Sequence, residues 1–281
     1  MKKRKHMNDA ALDVTEQSSR YDHLERMSTH DLLAGIHAED ALVQQAVEQA
    51  LPAMERLIDA VAGRMRADAR MFYIGAGTSG RLGVLDASEL PPTFGVEPGR
   101  VVALIAGGDG ALRTAVENAE DDEQGAWRDL QPYHPQAGDV LIGIAASGRT
   151  PYVLGGIRKA RQEGLLTGCL VCNPGSAVAA AAEYAVEAVV GPEFVTGSTR
   201  MKAGTATKQL LNMLSTCVMI KMGRVQGNVM THMQLNNVKL RRRAMRILRQ
   251  QYPQLSEAEA LQVLQKCGSL QKALDSLRHA E

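Results

Sequence analysis

The sequence lacks a dominant sign of charge, a long apolar run and a paired set of cysteines, and each absence removes a class of protein. Its 281 residues carry 32 basic and 31 acidic side chains, so the balance implies no general affinity for nucleic acid or a charged membrane surface. A small-molecule ligand fits better. No stretch approaches the roughly 20 apolar residues that span a bilayer. The basic start, Lys2-Lys3-Arg4-Lys5-His6, runs into Asn8 and Asp9 rather than an apolar segment, so it reads as a solvated, flexible tip and not a secretory signal. A soluble, cytoplasmic protein is expected. Of the four cysteines, Cys169 and Cys172 stand three apart in a strand-like segment, where their side chains point to opposite faces and meet neither in a disulfide nor on a metal. No other cysteine or histidine pair has zinc spacing. All four are expected to be buried apolar thiols.

What the chain does have is a hydrophobic fraction of 45%, enough for one sizeable core with helical appendages. The stretch from Met71 to Thr93, MFYIGAGTSGRLGVLDASELPPT, organises the rest. An apolar run ends in Gly75-Ala76-Gly77, small residues that allow a sharp turn and a close approach to a ligand. Thr78 and Ser79 follow where a helix of good formers should start, so hydroxyls and free amide N–H groups share a positive helix terminus. That is an anion site, most naturally for a phosphate. The helix continues to a carboxylate, Glu89, before Pro91-Pro92 is expected to stop it.

Around this stretch the periodicity predicts a short helix from an N-cap at Ser28 to Ile36. A longer one follows from about Glu39 to Arg66, which Pro52 kinks or divides. Five β-rich runs come next, Met71–Ile74, Val101–Ile105, Asp139–Ala145, Gly168–Val171 and Ala185–Val190. They alternate with helix-forming stretches such as Ala111–Leu130 and Pro151–Glu163. This is the pattern of βαβ units and a doubly wound α/β fold with a parallel sheet. A loop rich in glycine, serine and threonine then leads into a helix from roughly Thr199 to Met222. The tail, 234–281, reads as three short helices: a basic one over Lys239–Gln251, a second with a capping box at Ser256 and Glu259, and a third after Gly268-Ser269. Its Arg241-Arg242-Arg243 is read as a solvated face. Domain boundaries are expected at 1–66 (arm and helices), 67–233 (the α/β core) and 234–281 (the appendage).

A second stretch, Val140 to Val153, repeats the first: an apolar strand, small residues, then Ser147-Gly148-Arg149-Thr150 opening a helix at Pro151. In a sheet of order 2-1-3-4-5, strands one and three are neighbours and the order reverses between them, which is where such folds bind ligands. The two hydroxyl-rich loops should converge there. Gly75, Gly77 and Gly80 also satisfy G-x-G-x-x-G. A dinucleotide, however, wants an acidic residue about 20 positions on, at the end of strand two, and that strand ends in Ala106-Gly107-Gly108-Asp109. A phosphomonoester is the better reading.

Five segments, GAGTSGRLGVLDASE, LIAGGDGALRTAVENAED, GIAASGRTPYV, CNPGSAV and GPEFVTGSTRMKAGTATK, stand in this order. They resemble the N-acetylmuramic acid 6-phosphate etherase family of the sugar isomerase (SIS) fold superfamily, with a weaker likeness in the tail to that family's small three-helix, UBA-like appendage. The resemblance implies a five-stranded SIS sheet with N-terminal helices. It also implies removal of the D-lactyl ether of N-acetylmuramate 6-phosphate to give N-acetylglucosamine 6-phosphate and D-lactate, without metal or organic cofactor. The family's two functional glutamates fall on Glu89 and Glu120, with Glu89 the expected proton donor and Glu120 its partner. Gly77, Thr78, Ser79, Ser147, Gly148 and Thr150 are the expected phosphate ligands. Lys239 matches a sugar-phosphate-binding lysine of the related glucokinase regulatory proteins. Asp86 and Glu117 are read as structural. At about 1.5 Å per residue, Glu89 lies some 15 Å along its helix from Ser79, farther than a hexose phosphate reaches. The site is therefore expected at the interface of a homodimer.

Overall fold

Short apolar runs build a five-stranded sheet from β1 (Met71–Gly75), β2 (Val101–Ile105), β3 (Val140–Ala145), β4 (Leu166–Val171) and β5 (Tyr184–Glu187). All neighbours pair in parallel in the order β2-β1-β3-β4-β5. The computed structural model describes residues 13–235 and 238–279; the basic start lies outside them. Every residue of β1, β3 and β4 is buried, as strands covered on both faces by helices must be. Residues 188–190, expected in the last strand, lie beyond its ladder, although the Ala188 N–H still donates to the Val171 carbonyl at 2.9 Å.

One face of the sheet carries α1 (Thr29–Arg66), α2 (Gly77–Phe94) and α6 (Lys202–Lys221), packed through a shared core with Val43, Leu57, Val61, Leu211 and Leu214 fully buried. The other carries α3 (Gly125–Leu130), α4 (Pro151–Gln162) and α5 (Ala177–Ala181) over Phe72, Val153 and Ile157. Each such side chain contributes about 1.5–3 kcal/mol on burial. Cys169 belongs to the second core and Cys172 to the first, so the two thiols do lie on opposite faces. Burial pushes each up to about 12. Cys217 and Cys267, expected buried, are half-exposed.

Four local expectations are corrected. The two N-terminal helices are one, α1, with no break between Ile36 and Glu39, because the buried stripe runs on through Gly35, Glu39 and Val43. Ser28 caps it, accepting from the Asp31 N–H at 3.2 Å, and Pro52 sits on an exposed stretch where a lost N–H bond is cheap. Pro91 and Pro92 do not stop α2. They occupy its last turn, and the left-handed Gly95 ends it by donating to the Pro91 carbonyl. The stretch Ala111–Leu130 is mostly irregular, with single turns at Asp109–Leu112 and Ala119–Asp121 before α3. The helix expected from Thr199 begins only at Lys202.

After α6, a small hairpin (Val225–Gln226 with Val229–Met230) leads to α7 (Val238–Gln251), α8 (Glu257–Cys267) and α9 (Leu270–Arg278). These three helices enclose their own core of Ile247, Leu248, Leu264, Leu270 and Leu274. The capping box at Ser256 and Glu259 is present. The seam to the rest of the chain runs along the end of α2: Gln234 N–H donates to the Pro92 carbonyl, and Arg224 reaches the Gly95 carbonyl.

Candidate active site

The topology places the turns after β1 and β3 side by side, since Gly75 pairs with Ile144 across the ladder. Each turn opens a helix whose N-cap residue, Ala76 for α2 and Thr150 for α4, supplies no side-chain cap. No side chain therefore occupies the first-turn amides of α2, whereas in α4 Pro151 has no N–H and the Val153 N–H donates to the Thr150 carbonyl at 3.1 Å. The β1–α2 turn is tight because Gly75 and Gly80 touch backbone to backbone; a Cβ on Gly75 would lie 2.8 Å from the Gly80 nitrogen. Gly77 adopts a left-handed conformation there. Thr78 and Ser79 are half-exposed in the first turn of α2, and the Thr78 methyl faces Gly204 at the start of α6. In the second turn Gly148 is also left-handed, while Ser147 Oγ accepts from the Arg149 N–H at 3.2 Å.

A cleft of about 190 Å³ beside the first turn is lined by Gly77, Arg81, Ala106, Val116, Glu117 and Glu120, among others. Arg81 holds its far wall, donating from Nε to the Leu112 carbonyl and from a terminal nitrogen to that of Ala111. Glu120 and the β1–α2 turn thus meet on one cleft within one chain. Glu117, read as structural, is exposed on the same wall. Glu89 does not line this cleft; it stands exposed toward the far end of α2. Lys239 is exposed on α7 and is likewise absent from it. Among the described residues no group of three His, Cys, Asp or Glu side chains is arranged to hold a metal ion.

Asp86, read as structural, accepts from Tyr73 Oη and Ser215 Oγ, both at 3.1 Å, tying α2 to β1 and α6; burial raises its pKa above the ordinary carboxylate value. Several other buried polar groups were not picked out from sequence. Glu193 accepts from the Lys202 and Ala203 N–H groups, each at 2.9 Å, and so caps α6 with the protein's own carboxylate. Burial raises its pKa as well. Lys202 is buried against Glu39. Asn173 is 2% exposed and bonded to Thr15 and Ala146. For Asn173 the available signal is an isolated polar residue just after a buried strand, as in CNPG; Glu193 lies in the loop before α6, where no local signal marks it.

Over 270 residues the sequence is 56% identical to the N-acetylmuramic acid 6-phosphate etherase of Christiangramia forsetii, an alignment that covers 96% of this chain and 98% of that protein. The chain belongs to the N-acetylmuramic acid 6-phosphate etherase family. The Porphyromonas gingivalis etherase is 52% identical over 94% of this chain and 96% of its own length. Residues 53–161 match the family model described as the glucokinase regulatory protein N-terminal SIS domain, a span that contains both turns and both glutamates. Phosphoheptose isomerase from Neisseria gonorrhoeae superposes with a TM-score of 0.52 at 19% identity, covering 68% of this chain and 98% of that one. The etherase family and the isomerase thus share the SIS fold.

Proposed function

We propose that the protein cleaves the D-lactyl ether of N-acetylmuramate 6-phosphate by elimination and hydration, giving N-acetylglucosamine 6-phosphate and D-lactate, as a carbon–oxygen lyase of amino-sugar catabolism and cell-wall recycling. The observation that carries the reading is the meeting of the uncapped α2 terminus and Glu120 on one cleft, beside the second serine turn. An ether at C3 resists direct displacement, but in the ring-opened aldehyde the C2 hydrogen is acidic. A base removes that proton, the C3–O bond breaks as an acid protonates the departing lactate oxygen, and water then adds to C3. In this reading Glu120 and Glu89 are that pair, with Glu89 the donor. Gly77, Thr78, Ser79, Ser147, Gly148 and Thr150 hold the phosphate in the 67–233 core, and Lys239 of the 234–281 appendage meets an anionic end of the substrate. The reaction is assigned to the cytoplasm; among the described residues no helix is long and apolar enough to cross a membrane.

The two carboxylates stand apart in one chain, and both are exposed. We assign Glu89 to the site of a second copy in a homodimer, where the partner's surface would bury it and part the proton affinities that acid and base need. Leu85, 46% exposed one turn before Glu89, gives that face an apolar contact. The chemistry is tested in ¹⁸O water. Release of D-lactate with the label in the amino sugar is the expected result. Label in lactate rules out C3–O cleavage, and binding without lactate release replaces the enzyme with a sugar-phosphate sensor. The shared site is tested by mixing Glu89→Gln and Glu120→Gln chains: each alone falls by 10²-fold or more, and activity returns after subunit exchange.

A further inference from the structure

The second serine turn is anchored by a residue far away in the chain. Thr15, in a single turn at Val14–Glu16, is fully buried although it lies in a polar stretch of an N-terminal arm. Its N–H donates to Asn173 Oδ1 at 3.2 Å, and its Oγ1 accepts from Asn173 Nδ2 at 2.8 Å. Because a backbone N–H only donates, this contact fixes which way the amide faces. Nδ2 then has a second bond, 3.0 Å to the carbonyl of Ala146, the residue before Ser147. Around this bridge the arm makes further contacts. Asp13 pairs with Arg149 at 2.6 Å, Ser19 Oγ donates to the Phe194 carbonyl at 2.7 Å, and the Ser19 N–H donates to Thr196 Oγ1 at 2.9 Å. The Tyr21 ring lies 4.7 Å from that of Phe194. One short arm thus joins the turn after β3 to the loop that precedes α6.

We propose that residues Asp13 to Ser19 are a clasp completing the sugar-phosphate site, with Thr15 and Asn173 as positioning residues that hold the Ser147–Thr150 turn in its anion-binding shape. A turn that must present amides and hydroxyls within a few tenths of an ångström needs such support. Its own helix gives it no side-chain cap, and Asn173 is the side chain that bonds the backbone just ahead of Ser147. The inference deepens the etherase reading and rests on it for the identity of the ligand.

The test uses the full chain with Thr15→Val, which removes Oγ1 at nearly constant volume, Thr15→Ser, which restores it, and Asn173→Ala. For Thr15→Val and Asn173→Ala, the Kd for inorganic phosphate and the KM for N-acetylmuramate 6-phosphate are each expected to rise about tenfold while kcat stays within about twofold. Thr15→Ser returns both to wild-type values. By linkage, phosphate should slow hydrogen exchange at the wild-type Thr15 amide. Unchanged phosphate affinity in Thr15→Val, or exchange at Thr15 that ignores phosphate, would leave the arm a packing element and overturn the proposal. Should Asn173→Ala not fold, Thr15→Val decides alone. Wild-type protein that binds phosphate but releases no lactate would sink the etherase reading and leave the phosphate titrations to judge the clasp.

Discussion

The two serine turns look alike in sequence and are built differently. The turn after β1 is held by its own backbone: Gly75 and Gly80, within one short stretch, approach so closely that neither tolerates a Cβ. The turn after β3 leans on other parts of the chain. Gly148 packs on Ser176, its carbonyl accepts from the Val178 N–H, and Ala146 is held through Asn173 by Thr15, 158 residues from Asn173. A third terminus, that of α6, is closed by Glu193. A local turn can be read in a motif, whereas a turn supported from a distance depends on contacts that no window of sequence contains.

The comparison can be broken most severely at Gly75. Gly75→Ala places a Cβ 2.8 Å from the Gly80 nitrogen and 2.9 Å from its Cα, backbone atoms that cannot rotate aside. A loss of about 1–3 kcal/mol in stability and of about 10²-fold in kcat/KM is expected, read by thermal unfolding and steady-state kinetics. Gly148→Ala is the counterpart with a way out. Its Cβ would meet Ser176 Oγ at 2.1 Å and Cβ at 2.4 Å, and Ser176→Gly removes both atoms. The double variant should recover part of the stability, retaining the roughly 1–2 kcal/mol cost of a left-handed alanine; a double-mutant cycle measures the coupling. No such rescue should exist for Gly75.

The closed terminus sharpens the contrast with the open ones. Glu193→Gln exchanges one acceptor for a donor that faces an N–H, so about 1–2 kcal/mol of stability should be lost. KM is expected to stay unchanged, because Glu193 already occupies the amides of this terminus; a risen KM would put α6 in the site. The smallest effect belongs to the seam with the three-helix tail. Burial, ahead of the nearby Arg224, lowers the His232 pKa from its ordinary 6.5. The folded protein then binds fewer protons than the unfolded chain, so this stability is full above about pH 6.5 and is lost as pH falls toward the folded value. His232→Gln should flatten that part of the melting profile while leaving both serine turns as they were.

Much of this molecule was legible because its signals are local. The alternation of apolar runs and helix formers specifies a parallel sheet, and the order of strands places the first and third turns together at the switch point. Capping at Ser28 and Ser256 is written in single residues. Boundaries set by long-range packing were not legible. The union of two helices into α1 depends on a stripe buried against α6 and β5. The passage of α2 through Pro91 and Pro92 depends on a last turn supported by Gly95 and the seam to the tail.

By itself the sequence determined the fold class, the two serine turns and the family, since propensity, small residues at tight turns and long motifs act over a few positions. Tertiary structure decided which side chains share a cleft: Glu120 joins the first turn, while Glu89 is exposed and does not line it. It also decided that Thr15 supports the second turn and that Glu193 closes α6. The physical reason is the same in each case. A buried hydrogen bond needs its partner within about 3 Å whatever the separation in sequence, and only the packed chain brings such partners together.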